Sequence, residues 1–191
     1  MFFDIIFSGF GGQGALFAGQ LLAYAAMDEG HHVTWIPSYG PEMRGGTAHC
    51  VVIVSDEEIG SPLVRTPNTV IALNNPSAEK YEPLMAQHGH LIYNSSLASH
   101  VVTRRNIHAI PIPGSETAAE LGHAKLLNMI MLGALLDRVP VLTLDALDRA
   151  LENHIPARRR DLLAANKLAL RKGIELSQNV RNADLNRLPT L

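Results

Sequence analysis

The chain predicts an α/β domain, a Rossmann-like three-layer arrangement with a mostly parallel sheet of about five or six strands and a helical C-terminal third. Three observations carry this expectation. Short runs of bulky or β-branched apolar residues alternate with helical or long polar connections as far as Pro113. The first run is joined to an Ala- and Leu-rich stretch by Gly9-Phe10-Gly11-Gly12-Gln13-Gly14, a Gly-x-Gly-x-x-Gly turn in strand–loop–helix context. From Thr117 onward the pattern is helical. With 191 residues, the chain is long enough for one sizeable core. We place a single domain over residues 1–176 and expect a disordered polar tail over 177–191.

Phe2 to Phe7 reads as a buried strand by its length and its bulky residues. Ala15 to Met27 reads as a helix. Only Gln20, Tyr24 and Asp28 interrupt its apolar surface before Gly30, which is placed to end it. A helix apolar nearly all round is buried on more than one side, which leads us to expect a covering surface from another chain. His31 to Ile36 reads as a second strand, and Pro37 to Gly46 as a loop dense in turn residues. Thr47 to Ser55 is a long strand rich in β-branched residues, and Thr69 to Leu73 a buried one. Ser77 is placed to cap a short helix through Glu79, Tyr81 and Leu84. His90 to Tyr93 is the next strand; Ile107 to Pro113 is an edge strand, because its prolines exclude a central place. Thr117-Ala118-Ala119-Glu120 has the form of a capping box, ended by Gly122. Lys125 to Leu136 is a second almost wholly apolar helix, with Lys125 and Asn128 on one face near its start. Thr143 caps a helix from Leu144 to Leu151, with Asp145 suited to its dipole. Arg158 to Glu175 reads as a final amphipathic helix, apolar at Leu162, Ala169, Leu170 and Ile174.

A formal net charge of −2 gives no electrostatic case for binding nucleic acid or an anionic membrane. Hydrophobic residues make up 47% and charged ones 18%, a balance that leans towards stable protein partners. The one cysteine, Cys50, excludes an intramolecular disulfide and a cysteine-ligated iron–sulfur cluster held by this chain alone. The sequence begins in a strand with no basic leader, and no apolar run reaches the length of a membrane span. A cytoplasmic protein is the expectation.

In the glycine loop, Gly9 would allow the tight turn, Gly11 a close backbone approach, and Gly14 close packing of helix on strand. The following helix would offer unpaired N–H groups and its positive dipole end to an anion. An NAD site further requires an acidic residue at the end of the second strand. Trp35-Ile36-Pro37 occupies that place, and nothing acidic appears until Glu42, which argues against a dinucleotide dehydrogenase. The residues alone leave anion contact and a purely structural or interfacial turn equally open. The same holds for Ser38-Tyr39-Gly40-Pro41-Glu42-Met43-Arg44-Gly45-Gly46: a surface turn with an incidental ion pair, or a rigid recognition loop beside the glycine loop at the carboxyl edge of the sheet. The nine histidines form no metal-motif spacing. Cys50, inside an apolar strand, reads as a core residue. There is no Gly-x-Ser-x-Gly elbow and no P-loop ending.

Taken together, the glycine loop, the Ser38–Ala48 stretch and Leu73-Asn74-Asn75-Pro76-Ser77 resemble the gamma subunit of the 2-oxoacid:ferredoxin oxidoreductases. Asn94-Ser95-Ser96 and the helix through Asn128-Met129 and Leu132-Gly133-Ala134-Leu135 fit the same family. The resemblance covers residues 3 to 175, and the Ser-Tyr-Gly-Pro-Glu-x-Arg-Gly-Gly loop is its specific part. His49 and Asn75 depart from the family's usual Asn and Gln and bear on loop contacts. Phe17-Ala18-Gly19 and Pro37-Ser38-Tyr39 look most like subunits acting on 2-oxoglutarate or branched-chain 2-oxoacids, with 2-oxoglutarate preferred and a branched-chain 2-oxoacid or pyruvate as the alternative substrates.

The resemblance implies a complex that oxidatively decarboxylates a 2-oxoacid, forms an acyl-CoA and reduces ferredoxin. Thiamine diphosphate, Mg2+ and [4Fe-4S] clusters would sit on alpha and beta chains and a ferredoxin-type delta chain. No tightly bound cofactor, metal or catalytic residue is expected in this chain, and no contact with nucleic acid or membrane. CoA-facing positions would be Gly9, Gly11, Gly12, Gln13, Gly14, Ser38, Tyr39, Glu42 and Arg44, with Arg44 contacting phosphate and Glu42 orienting it. The alternatives are a non-catalytic assembly subunit and a free-standing nucleotide-binding protein.

Overall fold

The computed structural model describes residues 1–39, 46–97, 102–155 and 157–185. Its strands are β1 (Phe2–Phe10), β2 (His32–Tyr39), β3 (Thr47–Ser55), β4 (Thr69–Ala72), β5 (His90–Asn94) and β6 (His108–Ile112). Its helices are α1 (Ala15–Asp28), α2 (Asn75–Tyr81), α3 (Gly114–Glu120), α4 (Leu127–Arg138), α5 (Leu144–His154) and α6 (Leu163–Leu185). Among the described residues these strands form one sheet in the order β2-β3-β1-β4-β5-β6.

Only β3 runs against the rest. It is antiparallel to β1 and β2, while β1, β4, β5 and β6 pair in parallel. The cause is the length of the connection from Tyr39 to Thr47, too short for the crossover that a parallel neighbour needs. The mostly parallel α/β sheet is as expected, with this one antiparallel insertion. The chain winds one way from β1 through α1 and the other way from β4, so the order reverses between β1 and β4. Ligands of open α/β sheets bind outside the carboxyl ends of strands at such a reversal.

One face of the sheet presents Ile5, Phe7, Cys50, Val52, Ile71 and Ile92 to α1 and α4. The other presents Ile6, Val70, Ala72 and Leu91 to α2 and the short turn after it, through Ala78, Tyr81 and Met85. Strand alternation therefore supplies both halves of a three-layer core.

Residues 127 to 135 of α4 are all buried within the chain itself. The expected cover from another chain is not needed there: α6 packs along α4, and α5 packs on α1. The contact of α4 with α6 is backbone to backbone. A Cβ on Gly133 would run into the carbonyl of Leu170, and one on Gly173 into the carbonyl of Ile130. Small residues there let a nearly all-apolar helix lie flush against its neighbour. Full burial of Ile130, Leu132 and Leu135 stabilises the fold by roughly 1.5–3 kcal/mol per side chain.

Local signals differ from expectation in three places. Asn74, not Ser77, caps α2: its side chain accepts from the Ser77 N–H at 2.9 Å, and Pro76 occupies the first turn. Thr117 lies inside α3, with its hydroxyl donated back to the Pro113 carbonyl, so no capping box forms. The last helix extends through 177 to Leu185, with Ser177 fully buried. Ser177 is held by Arg138 and itself donates to Asp137, contacts that composition alone cannot show. Thr143 caps α5 as expected, accepting from the Ala146 N–H.

Candidate functional site

β1 runs on to Phe10, so Gly9 lies in the strand and the turn proper is Gly11 to Gly14. The turn is fixed from three sides. The Gly11 N–H donates to the Gly46 carbonyl at 2.9 Å, joining the glycine loop to the end of the β2–β3 connection. The Gln13 N–H closes back on the Phe10 carbonyl. The Gln13 side chain reaches across the β1–β4 reversal: its Oε1 accepts from the Phe10 N–H at 2.7 Å and from Asn74 Nδ2 at 3.0 Å. Gln13 is thus a brace, and Gly9 leaves it room, since a Cβ there would press on its Oε1.

The same edge continues as a polar network. Asn94 Nδ2 donates to the Leu73 carbonyl and to Ser115 Oγ, and its Oδ1 accepts from the N–H groups of Ser96 and Ser115. Ser8 Oγ donates to Ser77 Oγ at 2.9 Å. These bonds satisfy the buried polar groups where β1, β4 and β5 end.

Gly14 precedes α1 with φ +82° and is pressed against the Asn128 amide, which donates to its carbonyl at 3.1 Å. Any side chain there meets both a left-handed backbone and that amide. The first turn of α1 holds no acidic residue and no side-chain cap. Among the described residues, the N–H groups of Gly12 and Gly14 have no acceptor. They border a cavity of about 410 Å³, within the roughly 300–1,000 Å³ range of small-molecule sites. Lys125, His123, Asn128 and Asn166 supply its polar wall; Phe17, Leu126, Ile155 and Leu162 its apolar one.

The structure therefore brings Gly11, Gly12, Gln13 and Gly14 together with the Gly46 end of the hairpin. It engages the Gly11 N–H internally instead of leaving it for a ligand. Ser38 lies half-buried on β2 opposite His49, and Tyr39 is 64% exposed at the hairpin's base. Glu42 and Arg44 lie outside the described residues. Lys125 and Asn128 do share a face, and it points into the cavity. His123 and Asn166 carried no sequence signal: Asn166 reaches the cavity through the packing of α6 on α4, and His123 lies in the turn that precedes α4.

Burial pushes the Cys50 thiol up to about 12, and its Sγ lies against the Ala15 carbonyl, which removes any nucleophilic role. Burial, then the nearby Lys80 charge, holds the His49 imidazole below its usual range. Among the described residues no group of three or more His, Cys, Asp or Glu is placed to hold a metal ion. No helix among them is long and apolar enough to cross a membrane.

A family model described as pyruvate ferredoxin/flavodoxin oxidoreductase matches residues 4–176. The chain is 43% identical over 129 residues to the ketoisovalerate oxidoreductase subunit VorA of Methanothermobacter thermautotrophicus, covering 68% of this chain and 27% of that one. The chain thus spans about a quarter of the length of that relative. The keto/oxoacid ferredoxin oxidoreductase gamma subunit of Geobacter sulfurreducens superposes with a TM-score of 0.79 at 27% identity, covering 93% of this chain and 99% of that one. The 2-oxoglutarate:ferredoxin oxidoreductase of Magnetococcus marinus, solved with 2-oxoglutarate, coenzyme A and succinyl-CoA bound, superposes at 0.84 with 25% identity, covering 93% and 31%.

Proposed function

Since the chain belongs to the pyruvate ferredoxin/flavodoxin oxidoreductase family, we propose that it serves as the gamma subunit of a 2-oxoacid:ferredoxin oxidoreductase. In this reading the complex converts a 2-oxoacid and CoA to an acyl-CoA and CO2 and passes two electrons to ferredoxin. This chain forms part of the surface on which CoA approaches. Thiamine diphosphate, Mg2+ and [4Fe-4S] clusters are carried by the alpha, beta and ferredoxin-type subunits. A four-thiolate cluster does not fit a chain whose one cysteine is buried.

The observation that carries the reading is the joined pair of loops at the carboxyl edge. The Gly11–Gly46 bond sets the glycine loop beside the hairpin, and the uncapped start of α1 leaves the N–H groups of Gly12 and Gly14 without an acceptor at the border of a cavity that Lys125 also lines. These features support a phosphate-binding reading. Gln13 holds the loop in shape, and Arg44 adds a charge-assisted contact from the hairpin. Apolar surface for a partner subunit lies on the same rim, where Phe10, Ile36 and Tyr39 are 37%, 40% and 64% exposed. The location is cytoplasmic in this reading, in keeping with a soluble electron acceptor.

For the 2-oxoacid we propose 2-oxoglutarate, supported by the superposition on the Magnetococcus enzyme. The higher identity to a ketoisovalerate oxidoreductase subunit favours a branched-chain 2-oxoacid as the second reading. Comparing kcat/KM for the two acids in the purified complex separates them. The test of CoA contact is Arg44→Ala in the assembled complex. Loss of a charged hydrogen bond predicts a rise in the CoA KM of about tenfold or more, with the KM for the 2-oxoacid unchanged. An unaltered CoA KM in an intact complex leaves the chain as an assembly subunit only.

A further inference from the structure

The amino edge of the sheet, opposite the glycine loop, carries a histidine cluster that the CoA reading does not use. His90 opens β5, His108 opens β6, and the two are register partners in the parallel pair. Both lie on the face that α4 and α6 cover, in step with Ile92 and Ile110 two residues on. Their rings stack with centroids 4.9 Å apart, and the ring of His88, in the turn before β5, lies 6.4 Å from that of His108. The backbone fixes this grouping. The His88 N–H donates to the Asn106 carbonyl at 2.7 Å, the His108 N–H to the Gly89 carbonyl at 2.8 Å, and the His90 N–H to the Asn68 carbonyl at 2.8 Å. His88 holds its turn at φ 62°, which is uncommon for a residue with a side chain.

The charges around His90 are positive or already paired. His108 comes from β6, and Arg138 from the end of α4, which packs on β5. Asp137, beside Arg138, accepts from Ser177 and is paired with Arg138 and Arg181. The helix α6, which packs on β6, brings Arg181 and the Lys172–Glu175 pair. On the β4 side, Thr69 lies opposite His90, and the Asp4 carboxylate is taken by Asn68. Arg104 and Arg105 precede β6, with Arg104 bound to Asn106 and to the carbonyls of Glu82 and Met85. Among the described residues, the histidines paired with carboxylates are His31 and His154, and none of these three. Burial first, then His108 and Arg138, hold the His90 imidazole below its usual range. The proton therefore binds the opened edge more tightly than the closed one. Stability from this source is full above the ordinary histidine value of about 6.5. It is lost as the pH falls through that value towards the lower one of the closed edge.

We infer that His88, His90 and His108 form a proton-operated latch: with His90 neutral the stacked rings hold the start of β6 against β5, and a proton on His90, set beside His108 and Arg138, opens that edge. Opening loosens β6 and the surface on which α6 rests. The carboxyl edge, with its own bonds and no histidine cluster among the described residues, stays closed.

The experiment follows amide exchange in the full chain from pH 8 to pH 5, expressed as protection factors. In wild type the amides of His88 and His108 are expected to lose protection as the pH falls through about 6.5. The Leu73 amide, bonded to the Ser8 carbonyl at the opposite edge, is expected to keep it. His90→Phe leaves a ring in the stack that takes no proton, so the loss is expected to disappear. His108→Gln, at an exposed position, removes one cationic neighbour and is expected to shrink the loss at the His88 amide; it decides the matter if His90→Phe does not fold. No loss in wild type, an equal loss at Leu73, or an undiminished loss in either folded variant overturns the latch.

Discussion

Gln13 shows how a residue that reads as a ligand contact becomes a support. Its side chain ties Phe10 to Asn74 across the point where the sheet order reverses. Asn74 in turn caps α2, so one amide couples the glycine loop to the next helix. Gln13→Ala leaves two donors without their acceptor, at about 1–2 kcal/mol in total for part-exposed groups. In urea unfolding that loss appears as a lower midpoint with an unchanged m-value. Gln13→Glu keeps the accepting oxygen but turns the donor to the Leu73 carbonyl, 3.4 Å away, into a second carboxylate oxygen, so it recovers only part of the difference. Equal stability of the alanine variant and wild type contradicts the bracing role.

At the scale of elements, the crossing of α4 and α6 decides how the C-terminal third closes the cavity. Gly173 faces the Ile130 carbonyl with no room for a Cβ. In Gly173→Ala the helices separate. The gain in helix propensity, about 1 kcal/mol, is outweighed by an overpacking cost at rigid backbone, and a net loss of about 1–3 kcal/mol is expected. For a chain of this length that lowers Tm by roughly 2–4 °C per kcal/mol, measurable by calorimetry; a raised Tm contradicts the close crossing.

This same scale divides what the sequence could and could not tell. The strand, glycine turn and helix at the N-terminus were legible because strand and helix patterns meet there within a few residues. So were the β6 edge, marked by Pro111 and Pro113, and the Thr143 cap. The antiparallel β3 was not, because strand composition carries no direction; only the short connection does. Which elements cover α1 and α4 was not legible for a related reason. An all-apolar helix states that it is covered, and says nothing of which element covers it. Asn166 and the glycine loop line one cavity from opposite ends of the chain, and no local pattern encodes that proximity.

For the whole molecule, the sheet, the paired loops and the helical third converge on one edge. The reversal between β1 and β4 leaves that edge free for a ligand. Gln13 fills the crevice between the two strands. The open space is displaced towards α1, α4 and α6, where the cavity lies. The hairpin closes the other side through the Gly11–Gly46 bond. In the proposed reading that edge is a phosphate surface, the part of a subunit that presents CoA to chemistry on a neighbour.

The most direct test of that claim is the CoA KM of the complex carrying Gly12→Asp. A Cβ at Gly12 meets nothing within 4 Å, and the strain that its φ of 98° puts on any side chain is shared by Gly12→Asn, the uncharged control for Gly12→Asp. The substitution therefore puts a negative charge where the diphosphate is proposed to lie while disturbing the packing little. The account predicts a rise in CoA KM of at least about tenfold, with kcat and the 2-oxoacid KM unchanged. A CoA KM equal to that of wild type, in a complex of unchanged subunit composition, contradicts it.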